Sequence, residues 1–379
     1  MPAPSLPRGR SHRVVHIPSP RVDQRRSPRN ESLTFLLIRL DVNYMTCSAM
    51  GTAGSDKATP DEDARSAMRT RPGPRDWRDD NAKECCGQLL PCAVDVDALR
   101  TALSRVLVDY YPLAGRLGPG DDGKLVVVCN AEGALFGEGF LPGLTAREFL
   151  EGSATPHESW RKLLRGGAEL QSFIGVPTLV VQVTRLGCGG TILCTAISHC
   201  LCDGIGAAQF LHAWARVARF EAADHHVAPF HDRGVLRPRC PPHVAFEHQE
   251  YANSLPGGDE LAAASSLFVG PLARVSLTFT GAHVQRLKDL CAPWLEEGTS
   301  FEVLAAHVWR AWVRSLSAPS DLRVKLLFTV DIRRRVHPGL PGGYYGNGFV
   351  LACAESMAGQ LAAPSGAHHA ARLVRAAKR

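Results

Sequence analysis

The sequence of 379 residues lacks the features of several common protein classes. No two of its 12 cysteines have the Cys-x-x-Cys spacing, which argues against a zinc site and a disulfide scaffold. Apolar runs such as 33–38 and 125–128 are far too short to cross a bilayer, so we predict no membrane span. No Gly-x-Ser-x-Gly sequence occurs, which removes the usual nucleophile elbow of a serine hydrolase. With no secretory signal either, we expect reduced thiols and a cytoplasmic location.

Positive charge is scarce outside the start of the chain. The net charge is +6, and the first 30 residues account for all of it with seven arginines and one aspartate. A protein that binds nucleic acid usually clusters Lys and Arg on a folded face, whereas the remainder of this chain is neutral. We therefore expect no nucleic-acid partner.

Composition divides the chain into four parts. Residues 1–85 are rich in Arg, Pro, Ser and Gly without periodicity, which predicts a disordered, basic or spurious extension, and a transit peptide stays open as an alternative. An N-terminal domain is predicted over 86–224 and a C-terminal domain over 263–379. Between them, 225–262 is rich in Pro and His and is predicted to be a connector. Its histidines could suggest a metal site, but they lack zinc-site spacing.

Hydrophobic periodicity predicts an α/β fold in two units. The first unit should contain a helix capped by Asp95 or Asp97 and ended by Pro112, a strand over 125–129, a hairpin of 179–186 and 191–199, and a helix over 204–219. The second should contain a strand over 273–279, a helix from Ser300, and a strand in which Val324, Leu326, Phe328 and Val330 alternate with other residues. On the helix from Ser300, the predicted apolar face consists of Phe301, Leu304, Ala305, Val308 and Trp312.

One short segment carries residues suited to catalysis. His199 ends a β-rich run, and a histidine with an ordinary pKa of about 6.5 is neutral often enough at neutral pH to act as a general base. Asp203 is placed to cap the next helix or fix the turn, and Gly204 and Gly206 permit a tight turn and the close approach of another backbone. Ser198 is adjacent to His199 on a strand and points to the opposite face, so the two do not form a nucleophile–base pair. A His–Asp pair that only satisfies itself stays open at this point.

Five segments of the chain, in order, resemble the blocks of the plant BAHD acyltransferases, which use CoA thioesters as acyl donors. They are His199 to Gly204, which is similar to the family's His-x-x-x-Asp-Gly motif, and the segments 108–117, 299–310, 328–333 and 343–348. The resemblance implies a two-domain, chloramphenicol-acetyltransferase-like fold, with mixed sheets, flanking helices and a channel between the halves. It also implies an acyl-CoA donor and a small-molecule acceptor, with acyl-CoA as a co-substrate and no further cofactor or metal.

The resemblance assigns roles to particular residues. It implies that His199 takes a proton from the acceptor, while Asp203 turns away, pairs with Arg333 and orients the loop, supported by Gly204. Thr299 and Ser300 open a helix where a CoA phosphate would fit, although Ser300 acting only as a helix cap is the simpler alternative. Tyr345 and Asn347 are placed near the channel, and a turn-forming asparagine that tolerates positive φ explains Asn347 equally well.

The connector indicates which acyl group and which acceptor to expect. Its segments 229–233, 241–242 and 247–251 resemble BAHD members of plant secondary metabolism that move hydroxycinnamoyl groups, such as feruloyl, onto ω-hydroxy fatty acids and fatty alcohols for suberin and waxes. N-acylation of a polyamine is the alternative within the enzyme class. The family's Asp-Phe-Gly-Trp-Gly block is absent, and its opening strand is unclear, so we expect an incomplete second domain from a truncated or mis-joined gene, and a catalytically incompetent relative stays open. We expect a monomer.

Overall fold

A computed structural model describes the backbone at 14–16, 36–37, 71–72 and 83–90. It describes the chain over 93–152 except 122, and over 174–219, 227–237, 279–292 and 298–379, with a few short stretches and single residues between 239 and 277. The strands are β1 (Val14–His16), β2 (Leu36–Leu37), β3 (Arg71–Pro72), β4 (Lys83–Leu90), β5 (Arg116–Pro119), β6 (Leu125–Val128), β7 (Leu135–Leu141), β8 (Leu179–Leu186), β9 (Thr191–Ser198), β10 (Arg323–Asp331) and β11 (Phe349–Met357). The helices are α1 (Val96–Asp109), α2 (Ala146–Gly152), α3 (Gly204–Ala218), α4 (Gly281–Cys291), α5 (Ser300–Ser315), α6 (Ala358–Ala362) and α7 (Gly366–Lys378), with 3-10 turns at Tyr111–Ala114 and Arg233–Leu236. None of these described helices has the length and apolar character needed to cross a membrane.

The described residues form two compact units. The first contains the described residues of Met1–Arg21, Met45–Arg239 and Val336–Gly348, and the second contains those of Val22–Tyr44, Cys240–Arg335 and Phe349–Arg379. The segment 336–348 therefore returns to the first unit after most of the second. The domain boundaries predicted at 86, 225 and 263 stay predictions, and the extension predicted over 1–85 lies outside the described residues except for β1, β2, β3 and the start of β4.

In the first unit, a five-stranded mixed sheet supports two helices. Its strand order is β3-β4-β9-β8-β7, with β7 and β8 parallel and the other pairs antiparallel. Strand β8 is buried at seven of its eight positions and β9 at seven of eight, as expected of strands covered on both faces. Leu99, Phe210 and Trp214, from α1 and α3, pack with Leu179 and Val181 of β8 in one core. Strands β1, β6 and β5 form a separate antiparallel sheet.

The periodicity of the first unit is confirmed. Asp95, not Asp97, caps α1: its Oδ1 accepts hydrogen bonds from the amides of Asp97 (2.9 Å) and Ala98 (3.1 Å). The 3-10 turn that contains Pro112 follows the end of α1. The predicted hairpin is formed by β8 and β9.

In the second unit, a three-stranded sheet of order β11-β10-β2 packs with α5 and α7. The predicted alternation on β10 is only partly right. Leu326, Phe328 and Val330 are buried, but Lys325 and Leu327 between them are buried as well, and Val324 is half-buried. The predicted apolar face of α5 is only partly right. The buried residues are Glu302, Val303, Ala305, Ala306, Trp309 and Val313, so of the predicted set only Ala305 is buried. The reason is that α5 packs against α7 as well as the sheet. The strand predicted over 273–279 lies outside the described residues, except Leu277 and Phe279, which are not in a strand.

Candidate active site

His199 lies in the turn that joins β9 to α3. Strand β9 ends at Ser198, whose amide donates to Thr178 O (2.8 Å), and the amide of Leu201 donates back to Ser198 O (3.0 Å). His199 and Cys200 are half-buried, while Leu201, Cys202 and Asp203 are buried. The turn therefore presents one partly exposed histidine from a backbone that is fixed on both sides.

Asp203 holds two backbone segments together. It is 6% exposed and is the N-cap of α3, where its Oδ1 accepts from the amide of Gly206 (2.9 Å). Its Oδ2 accepts from the amide of Gly348 (2.9 Å), which is 145 residues away in sequence. Both carboxylate oxygens thus bind backbone amides, which suits an orienting role and confirms the predicted cap.

The turn Gly343–Gly348 lies against this loop. Gly343 has φ of +80°, and a Cβ at this position would be 2.0 Å from Ala228 O, so the turn needs glycine there. Asn347 Nδ2 donates to His199 O (2.7 Å). Asn347 is not among the residues with positive φ, so the backbone explanation predicted for this asparagine is wrong. The hydrogen bond of its side chain, and not its backbone conformation, accounts for an asparagine at this position.

The two glycines at the start of α3 differ in their surroundings. A Cβ on Gly206 would lie 1.9 Å from Tyr345 O, so only glycine lets α3 approach the turn this closely. A Cβ on Gly204 would meet no atom within 4 Å. Of the two glycines predicted to allow close approach of another backbone, Gly206 therefore does so and Gly204 does not.

Tyr345 is fully buried beneath the turn. Its hydroxyl lies 3.2 Å from His231 Nδ1, and the Arg233 guanidinium sits 4.2 Å from its ring centroid. Burial raises the pKa of the Tyr345 phenol, which stays protonated. Gln209 Nε2 of α3 donates to Gly343 O (3.0 Å) and to Tyr110 OH (3.1 Å). Tyr345 thus supports the turn from below rather than offering a free hydroxyl.

The sequence predicts His231 and Arg233 only as part of the connector. The structure places them against Tyr345, and Arg233 Nη1 would lie 1.8 Å from a Cβ on Gly346. The segment 229–233 marked these two residues as similar to the family, but no local sequence pattern indicated that they contact the turn 343–348. Only the fold brings these segments together.

The remaining predicted residues lie in the second unit. Arg333 donates from Nη1 to Asp331 Oδ1 (2.9 Å), and its predicted pairing with Asp203 stays a prediction. Thr299, not Ser300, is the N-cap of α5: its Oγ1 accepts from the amide of Glu302 (3.3 Å). The alternative that Ser300 serves as the helix cap is therefore wrong.

Glu302 is a buried carboxylate that sequence analysis missed. It is 1% exposed; its Oε2 accepts from the amide of Thr299 (3.0 Å) and pairs with Arg375 (3.2 Å), and its Oε1 pairs with Lys378. Burial acts to raise its pKa, but the bonds from Lys378, Thr299 and Arg375 prevail and hold the pKa below its ordinary value. The Thr-x-x-Glu spacing of a capping box was the available signal.

This arrangement favours proton transfer by a single histidine. Within the described part of the chain, no group of three or more His, Cys, Asp or Glu side chains could hold a metal ion. Asp203 is occupied by backbone amides, so His199 is the partly exposed side chain at this turn that is suited to act as a general base at neutral pH.

Comparison with known proteins gives a family and a fold. A family model described as "Transferase family" matches residues 88–379. The crystal structure of vinorine synthase covers 79% of this chain and 68% of its own, with a TM-score of 0.55 and 19% identity. The structure of F. graminearum TRI101 complexed with coenzyme A and deoxynivalenol covers 78% and 71%, with a TM-score of 0.59 and 14% identity. The expected two-domain α/β fold with mixed sheets is thereby confirmed.

Curated relatives share more sequence. Omega-hydroxypalmitate O-feruloyl transferase of Arabidopsis thaliana is 38% identical over 273 residues, covering 70% of this chain and 58% of its own length. Fatty alcohol:caffeoyl-CoA acyltransferase of the same plant is 34% identical over 267 residues, covering 70% and 61%. Putrescine hydroxycinnamoyltransferase 1 of Oryza sativa subsp. japonica is 34% identical over 280 residues, covering 70% and 59%. The chain spans about three-fifths of the length of these relatives.

Proposed function

Because the chain belongs to the BAHD acyltransferase family, we propose that it transfers an acyl group from a CoA thioester to a small acceptor, with His199 as general base. The observation that carries this proposal is the position of His199, half-buried on a turn whose backbone is fixed by Asp203 and by the end of β9. A rigid turn keeps the imidazole in one place during proton transfer.

The reaction proceeds without a covalent enzyme intermediate. The imidazole of His199 accepts the proton of the acceptor hydroxyl while that oxygen attacks the carbonyl carbon of the thioester. The tetrahedral intermediate then breaks the C–S bond, and the protonated imidazole returns its proton to the leaving thiolate. The products are an ester and free CoA, and no further cofactor is needed.

The acyl group we propose is hydroxycinnamoyl, and the acceptor is an ω-hydroxy fatty acid or a fatty alcohol. Support comes from the two Arabidopsis thaliana relatives, whose names specify a feruloyl transfer to ω-hydroxypalmitate and a caffeoyl-CoA donor with a fatty alcohol. A second candidate acceptor is a polyamine, since the Oryza sativa relative is a putrescine hydroxycinnamoyltransferase. The suberin role, cytoplasmic location and monomeric state stay predictions.

The test is a CoA-release assay with feruloyl-CoA and ω-hydroxypalmitate. We expect His199→Ala to lower kcat by about 10²- to 10⁴-fold, the usual contribution of a general base. His212→Ala is the matched control, because His212 is an exposed histidine on α3 and should leave the rate unchanged. Equal rates for His199→Ala and the wild type would refute the mechanism.

The same assay separates the alternatives. Faster turnover with putrescine than with ω-hydroxypalmitate would move the proposal to N-acylation. No turnover with either acceptor, together with no binding of CoA, would favour a catalytically incompetent relative.

A further inference from the structure

Asn347 makes a contact with the proposed general base through the backbone. Its Nδ2 donates to the carbonyl oxygen of His199 at 2.7 Å, across 148 residues of sequence. On either side of His199, the chain is held by the bonds of Ser198 and Leu201, but the peptide group of His199 itself is held by Asn347. Because a peptide group is planar, fixing this carbonyl limits ψ of His199 and hence the direction of its Cα–Cβ bond.

The orientation of the Asn347 amide is set by His199. Its Oδ1 is buried and has no hydrogen-bond partner in the part of the chain that the structure describes. Rotating the amide by half a turn would bring Oδ1 against the His199 carbonyl oxygen, which places two acceptors together. In this orientation Nδ2 donates to His199 and Oδ1 is left without a partner among the described residues. A buried polar atom without a partner is unusual in a folded protein, and the bond to His199 explains why it is tolerated here.

The turn does not depend on Asn347 for its own shape. The amide of Gly348 donates to Asp203 Oδ2, Gln209 donates to Gly343 O, and the amide of Phe230 donates to Gly343 O (2.9 Å). Asn347 also lacks a positive φ that would demand an asparagine. Replacing its side chain should therefore remove the contact with His199 and leave the turn in place.

We propose that Asn347 is a positioning residue, which holds the backbone of His199 so that its imidazole meets the acceptor hydroxyl. This inference rests on the proposed function, because it assumes that His199 transfers the proton. Misplacement of a reacting group by about 1 Å costs up to about 10²-fold in rate. Asn347 should accordingly affect the chemical step and not the binding of either substrate.

The test compares Asn347→Ala with the wild type by steady-state kinetics and urea unfolding. We expect kcat to fall by about 10- to 100-fold, with KM unchanged for feruloyl-CoA and for the acceptor. The unfolding midpoint should stay close to that of the wild type, since the substitution removes a donor and also removes the unsatisfied acceptor. Asn130→Ala, on a loop after β6, is the matched control and should leave kcat unchanged.

Two further variants separate positioning from a general structural role. In a His199→Ala background, Asn347→Ala should cause no additional loss, because the group that it positions is gone. Asn347→Asp retains the shape of the side chain but places an oxygen against the His199 carbonyl, so it should lose at least as much activity as Asn347→Ala. This second variant decides the question if Asn347→Ala does not fold.

The outcomes are distinguishable from failure of the proposed function. An active Asn347→Asp, with kcat of the wild type, would overturn the inference while an inactive His199→Ala still upholds general-base catalysis. A further loss in the His199→Ala background would also overturn it, since Asn347 would then act independently of His199. An active His199→Ala would refute the proposed function itself.

Discussion

Two buried carboxylates lie at the starts of two helices and are held in different ways. Asp203, at the start of α3, accepts from the backbone amides of Gly206 and Gly348. Glu302, in the first turn of α5, pairs with the side chains of Arg375 and Lys378. The first carboxylate fixes the backbone around His199, and the second ties α5 to α7. The comparison teaches that a buried acid at a helix start can serve a catalytic loop or helix packing, depending on its partners.

Removing the charge of Asp203 should have the largest effect. In Asp203→Asn, one side-chain oxygen still accepts from an amide, but the NH2 group faces the other backbone N–H. We expect the free energy of unfolding to fall by about 1–3 kcal/mol, the cost of a buried unsatisfied group, and kcat to fall at least ~10-fold because the loop of His199 loosens. Urea unfolding measures the change in stability, and the CoA-release assay measures the change in kcat.

The control for this variant is Asp95→Asn. Asp95 is an exposed N-cap, and asparagine caps a helix about as well as aspartate, so stability should barely change. If Asp203→Asn kept the stability and activity of the wild type, the charge of Asp203 would not be needed to hold the amides of Gly206 and Gly348.

Sequence patterns predicted the helices and strands around Asp203 and Glu302, but not the tertiary contacts of these two residues. Asp95 and the hairpin of β8 and β9 follow from capping and from β-rich runs, which are local signals. His199 and Asp203 were selected for the same reason, since a strand end and a helix start adjoin in sequence. The bond between Asn347 and His199 joins residues 148 positions apart, and no local pattern encodes such tertiary packing.

The misses have a physical cause as well. The buried face of α5 was misplaced because α5 packs against both a sheet and α7, so a single apolar stripe does not describe it. Glu302 was overlooked because a glutamate on a helix is usually solvated, and only the cations of α7 make its burial favourable. Those cations are more than 70 residues away.

Glu302→Gln should have an intermediate effect that depends on pH. The pKa of Glu302 is lower in the folded protein than its ordinary value, so ionised Glu302 stabilises the fold at neutral pH, and this contribution is lost as pH falls through the folded pKa. At pH 7 we expect Glu302→Gln to lower the free energy of unfolding by about 1–3 kcal/mol, the value of hydrogen bonds to a charged group. The difference from the wild type should shrink below about pH 4.

Unfolding curves at pH 7 and at acidic pH measure this difference. Glu138→Gln is the matched control, because the Glu138–Arg100 pair is about half exposed and such pairs contribute about 0–1 kcal/mol. A difference between Glu302→Gln and the wild type that stays constant with pH would mean that the charge of Glu302 is not what stabilises the fold.

The smallest effects separate Thr299 from Ser300 at the start of α5. Thr299→Ala removes the oxygen that accepts from the amide of Glu302 and should cost about 1 kcal/mol of unfolding free energy. Ser300→Ala should change stability by less than about 0.5 kcal/mol, since Ser300 is not the cap. If Ser300 binds a CoA phosphate, as the family resemblance implies, Ser300→Ala raises KM for feruloyl-CoA and leaves kcat unchanged. If Ser300→Ala leaves KM unchanged while Thr299→Ala is destabilised, the start of α5 serves only to cap the helix, and Ser300 does not bind CoA.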